Sequence, residues 1–159
     1  MASAWTTPLT WTAGMVPGET DFNTYIRDNM NALKDPPFQQ IVTASAGDVI
    51  ATASTAIPIT GNLSITLTTH GGAIQFCFEG RISGGSNVVL NMDYNGTAFT
   101  TLASGFRRAN NEYVVMQGFI TGLPSGSHTF KPTWLQPAGN NMRLSFSSEP
   151  AIFWVREVS

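Results

Sequence analysis

The sequence predicts a mainly β protein: an antiparallel β-sandwich of the jelly-roll kind, preceded by an extended N-terminal arm and one short α-helix. Short apolar-alternating stretches recur through residues 38–159, Gly, Asn and Pro turns separate them, and no helical periodicity returns after residue 37. About eight or nine strands are expected from that spacing. An immunoglobulin-like connection of the same strands is the alternative topology. The absence of an internal repeat disfavours a propeller or β-helix. Residues 1–37 are expected to form an anchoring arm and helix, and residues 38–159 the sandwich.

Residues 1–17 carry no charged side chain, hold Trp5 and Trp11, and are interrupted by Pro8, Gly14 and Pro17. That composition reads as an extended arm. An indole offers some of the largest apolar area a side chain can bury, so the arm implies a docking surface. A neighbouring molecule is favoured over the arm's own domain, because terminal arms stay disordered unless something ties them down.

The helix is expected between Gly18 and the Pro36-Pro37 stop. Gly18 can serve as N-cap, Glu19 and Asp21 place negative charge in the first turn, and Lys34 places positive charge in the last. Asp35 precedes a proline and is pushed out of the α region. Phe22, Tyr25, Ile26, Met30 and Leu33 fall at helical spacing beside a polar face of Asn23, Arg27, Asp28, Asn31 and Lys34. That apolar stripe, with Trp5 and Trp11, is the expected oligomer or attachment interface. Fewer than two heptads cannot hold an oligomer alone, so the β body is expected to contribute.

Trp11-Thr12-Ala13-Gly14, Asp21-Phe22-Asn23-Thr24-Tyr25-Ile26-Arg27-Asp28-Asn29-Met30 and Leu33-Lys34-Asp35-Pro36-Pro37 together resemble the N-terminal segment of a family of tailed-bacteriophage virion proteins, of tail or fibre type or head-decoration type. Looser echoes lie in the run from Gly122 to Phe130 and in the ending from Phe153 to Glu157. The resemblance implies a structural role in a phage particle and brings no catalytic residues with it. The expected location is therefore the virion, and the expected partners are copies of the chain, as a homotrimer, and other virion proteins. A capsid decoration or cement protein stabilising the head, and a receptor- or glycan-binding module for host attachment, are the alternatives.

The β body opens with Phe38 to Val42. Leu63 to Thr68 alternates strictly, with Leu63, Ile65 and Leu67 on one face and hydroxyls on the other. After the Gly71-Gly72 turn, Ile74, Phe76 and Phe78 point inward and Cys77 outward. Val88, Leu90, Met92 and Tyr94 form the next stripe, and Asn95-Gly96 closes a hairpin into Thr97 to Leu102. Tyr113 to Ile120 follows, then Ser127 to Trp134, where Pro132 marks an edge or a break in the ladder. Met142, Leu144 and Phe146 align on another strand, and Ile152 to Val158 is the last.

Only 11% of residues are charged, under half of the roughly 25% usual for a soluble domain, so Thr, Ser, Asn, Gln and Gly must cover the surface. A net charge of -2 with thinly spread basic residues argues against a nucleic-acid partner; only Arg107 and Arg108 are adjacent. No apolar run approaches a membrane span, and the start lacks the pattern of a signal peptide. The single Cys77 cannot form an internal disulfide.

No enzyme is expected. His70 and His128 lack ligand-like spacing to another His or Cys, so neither a metal nor another cofactor is implied. His128 is expected to hydrogen-bond at a strand start, and Ser125 to serve a turn rather than a catalytic elbow. Glu79, Asp93 and Glu112 are the carboxylates that could be paired for glycoside hydrolysis, although Asp93 beside Asn95-Gly96 is more simply a hairpin residue. For host surface glycan, the loops Ser83 to Asn87 and Leu135 to Asn141 could offer hydrogen bonds beside Trp134. Trp134 alternates with Pro132 and Phe130, which favours a core position over a stacking platform.

Overall fold

The computed structural model describes residues 6–7, 9–30, 36–43, 49–53, 55–60, 62–83, 88–99, 106–108, 112–136, 141–145 and 150–158. The described strands are β1 (Phe38–Val42), β2 (Val49–Thr52), β3 (Ile57–Pro58), β4 (Ile65–Thr69), β5 (Ala73–Ser83), β6 (Val88–Tyr94), β7 (Thr97–Phe99), β8 (Phe106–Arg108), β9 (Glu112–Ile120), β10 (Gly126–Leu135), β11 (Asn141–Ser145) and β12 (Ile152–Val158).

Several of these strands are halves of one longer strand. β11 and β12 follow one another along the same side of β5, from Arg143↔Ser83 to Val158↔Ala73. β1 and β2 in turn lie along β12 and β11. In the other sheet β3 and β4 share one side of β10, and β7 and β8 share one side of β6. The described strands thus fill eight positions, numbered in chain order. The sheets read 1-8-3-6, which is β1/β2, β11/β12, β5 and β9, and 2-7-4-5, which is β3/β4, β10, β6 and β7/β8. Every connection crosses between sheets except position 4 to 5. That is a jelly roll, and it excludes the immunoglobulin-like alternative.

The position 4 to 5 connection is the predicted hairpin. Asn95 and Gly96 both have positive φ, 51° and 82°, the pair of angles a type I′ turn requires. Asp93 Oδ1 accepts from the Gly96 amide at 2.8 Å, so this carboxylate is held by the turn. Asn95 Oδ1 also accepts from the Thr129 amide at 2.8 Å, tying the hairpin to β10. Pro132 is the predicted ladder break, not an edge. β10 is central, and Pro132 stands where its neighbour changes from β4 to β3, its carbonyl accepting from the Ile59 amide at 3.0 Å.

Alternation sorts the side chains as expected. Leu63, Ile65, Leu67, Ile74, Phe76, Phe78, Val88, Leu90, Met92, Met142 and Leu144 are buried between the sheets, Tyr94 packs at the margin, and Phe146 lies outside the described residues. Each buried Phe or Leu contributes about 1.5–3 kcal/mol relative to exposure. Trp134 is 0% exposed, so it is a core residue and offers no face to a ligand.

Glu157 is buried at the end of β12, where both carboxylate oxygens accept from the His70 amide at 2.9 Å and Oε1 accepts from the Gly72 amide at 2.6 Å. Gly72 is required there, because a Cβ would stand 2.9 Å from the Val158 carbonyl oxygen.

The helix departs from expectation in its winding. It begins at Gly18, whose carbonyl accepts from the Asp21 and Phe22 amides at 3.1 and 3.2 Å while Asp21 Oδ2 accepts from the Gly18 amide at 2.9 Å. After α1 (Glu19–Asp21), however, residues Phe22–Arg27 form a π-helical turn, with the Asp28 amide reaching the Asn23 carbonyl. Just after this turn, Asn29 Nδ2 donates to the Tyr25 carbonyl at 3.1 Å.

Candidate interaction surface

The expected interface residues separate onto two sides of the helix. Phe22, Ile26 and Met30 are all exposed, Met30 by 64%, whereas Asn29 is only 5% exposed. Tyr25 is half-buried on the Asn29 side. Trp11 is 43% exposed. Trp5 and Leu33 lie outside the described residues.

Asn29 is buried against the arm. Its Oδ1 accepts from the Thr6 amide at 2.8 Å and its Nδ2 donates to the Thr6 carbonyl at 2.7 Å, a two-point clip that imitates a strand partner. Among the described residues, therefore, the arm folds onto its own helix at Thr6 and leaves the Trp11 indole substantially uncovered. Sequence reasoning assigned Asn29 no role. An Asn placed among the apolar helix positions, four residues after Tyr25, was the available signal.

A second surface was also missed. The outward face of the sheet β1/β2, β11/β12, β5 and β9 is rich in apolar side chains where a solvent-facing sheet would carry polar ones. Its cross-strand rows are Phe119–Gln75–Arg156–Phe38, Gln117–Cys77–Trp154–Gln40 and Val115–Glu79–Ile152–Val42. Phe38, Val42 and Phe119 are each 55% exposed, and Ile50, Tyr113 and Val115 are exposed on the same face. The signal was present in Tyr113 to Ile120, where both alternating sets are mostly apolar with Gln117 the polar exception, close to the pattern of a strand covered on both sides.

The polar groups of this face are held by one another. Arg156 Nε donates to Gln75 Oε1 at 2.7 Å, and its guanidinium carbon lies 5.7 Å from the centre of the Trp154 ring, a cation–π distance. Phe38 stands 6.4 Å from Trp154, ring centre to ring centre. Tyr113 donates its hydroxyl proton to Glu79 Oε2 at 3.2 Å, and Cys77 Sγ lies 3.5 Å from Glu79 Oε1. Burial, then the neighbouring Glu79 charge and its hydrogen bond, push the Cys77 thiol up to about 12, so at neutral pH it packs as a small apolar group. Pro36, Phe38, Gln40, Trp154 and Arg156 line a shallow, open depression of about 460 Å³ at the β1 edge.

The residues considered for chemistry are placed apart. Glu79 lies on β5 and Asp93 on β6, in different sheets. His128 is buried, with Nε2 donating to the Pro124 carbonyl at 2.9 Å and Nδ1 accepting from Asn95 Nδ2 at 2.9 Å, the hydrogen-bonding role expected of it. Among the described residues no group of three His, Cys, Asp or Glu side chains could hold a metal ion. No helix among them is long and apolar enough to cross a membrane. Residues 84–87 and 137–140 of the loops considered for glycan lie outside the described residues, as do the side chains of Arg107 and Arg108.

No family model matches the chain, and no curated protein matches it. Among solved structures it is similar to the C-terminal domain of EclA, a sugar-binding protein, at 15% identity over 74% of this chain and 78% of that one, with a TM-score of 0.37. It is also similar to the Eiger TNF of S. frugiperda, at 9% identity over 79% and 94% of the two chains, with a TM-score of 0.43. A third similarity is to VP2 of infectious bursal disease virus in its subviral particle, at 10% identity over 77% of this chain and 37% of that one, with a TM-score of 0.38.

Proposed function

We propose that this chain is a structural component of a bacteriophage virion, without enzymatic activity, whose jelly roll is displayed at the particle surface as a homotrimer and whose arm and helix attach it. One observation carries the reading: Phe22, Ile26 and Met30 are exposed together on one side of the helix while Asn29 on the other side clips the arm in place. An apolar stripe held in a set geometry and left open to water is a surface prepared for another molecule. The resemblance of residues 11–37 to a virion-protein segment names the kind of molecule, another virion protein or a further copy of the chain.

Immunogold labelling of purified particles tests the location. Label on the tail or its fibres is the expected result, label on the head would make the chain a decoration protein, and unlabelled particles would overturn the virion reading. Deleting residues 1–37 is expected to leave a folded sandwich with weaker self-association, because the core lies wholly in the β body. Light scattering and a thermal melt check this, and unfolding of the truncated chain would show that the anchor is not separable.

A further inference from the structure

We infer that the outward apolar face of the β1/β2, β11/β12, β5 and β9 sheet is the seat for the helix of a second copy of this chain, whose Phe22, Ile26 and Met30 lie across its rows. The inference rests on the reading of that stripe as an intermolecular seam and names the surface the seam fits.

The two surfaces match in chemistry. Phe119, Val115, Phe38 and Val42 present exposed apolar groups, and the face's Arg156 and Glu79 are engaged with Gln75, Trp154 and Tyr113 on the same face. Arg81 and Arg143 belong to the same face, beside Tyr113 and Ile50, and the stripe itself carries no charge. Sheet and helix stripe are also the two elements that ordinarily bury each other in layered folds.

Within one chain the helix leaves the face uncovered. Pro37 continues the line of β1, its carbonyl accepting from the Glu157 amide at 2.9 Å, and Pro36-Pro37 restrict the backbone to extended conformations. Pro36 and Pro37 therefore lead into β1 along the strand axis at the end of the sheet. In this arrangement both the stripe and the face stay uncovered. One helix on one sheet covers on the order of a few hundred Å² per side, short of the ~800 Å² per partner of a standard stable interface. A closed ring makes up the difference, since a contact between two different patches uses every chain's stripe and every chain's face at once.

The test is a disulfide between two single-cysteine-addition variants of the full chain, Ile26→Cys in one and Val115→Cys in the other, both at exposed positions. The two are mixed, one of them isotope-labelled, oxidised mildly and mapped by mass spectrometry. A bridge between position 26 of one chain and position 115 of another is expected. Bridges joining only position 26 to position 26 would overturn the face as the seat while leaving the helix seam intact. A trimer by light scattering that forms neither bridge would overturn the inference alone, and a wild-type chain that stays monomeric would overturn the seam as well. A double variant carrying both cysteines in one chain that bridges only within itself would show the occupant to be the chain's own helix. As a second measurement, Val115→Ser with Phe119→Ser is expected to weaken self-association more than tenfold with an unchanged melt; unchanged association would refute the proposal.

Discussion

Serine in place of both Trp5 and Trp11 is expected to shed the protein from particles while its thermal transition stays where it was. Trp11 is 43% exposed and is not part of the hydrophobic core, so replacing it leaves the core packing intact. Bound along a neighbour, the two indoles would bury area worth several kcal/mol at roughly 25 cal/mol per Å² of apolar surface. The clip from Asn29 to Thr6 lowers the cost of that binding, because part of the arm is already ordered. Since ~1.4 kcal/mol corresponds to a tenfold change in affinity, occupancy on particles is expected to fall by more than tenfold. Quantitative blotting of purified particles beside a melt of the free protein checks both halves. Normal incorporation of the double variant would pass the attachment role to another surface.

Trp134→Ala is expected to do the reverse, lowering the stability of the sandwich by about 3–5 kcal/mol through lost contacts and a residual cavity. For a chain of this length that is a fall in Tm of roughly 6–20 °C. Trp134 is fully enclosed and its Nε1 has no hydrogen-bond partner among the described residues, so Trp134→Phe is expected to be much milder. Differential scanning calorimetry of the two variants separates the outcomes. A glycan-binding defect in Trp134→Ala without loss of stability would contradict a core position.

Much of this architecture is local information. The strict alternation of Leu63 to Thr68 and of Ile74 to Phe78 assigns each side chain a face, because successive strand residues point to opposite sides. Asn95-Gly96 sets its own turn, since both residues tolerate positive φ. Gly18 with Asp21 starts the helix by a contact three residues long. These features depend on backbone conformations that neighbouring residues choose among themselves.

What the sequence by itself determined is therefore the strands other than β2, β3 and β8, their inward faces, the hairpin and the helix start. The tertiary structure alone decided which strands are neighbours: that β11 and β12 share one side of β5, and that Pro132 interrupts a central strand instead of marking an edge. It also decided that Asn29 grips Thr6, and that Phe38, Val42, Val115 and Phe119 come together on one outward face. Each of these depends on pairings between residues far apart in the chain. Alternation says which side of a strand is apolar, but only the sheet order says whose side chains stand beside it.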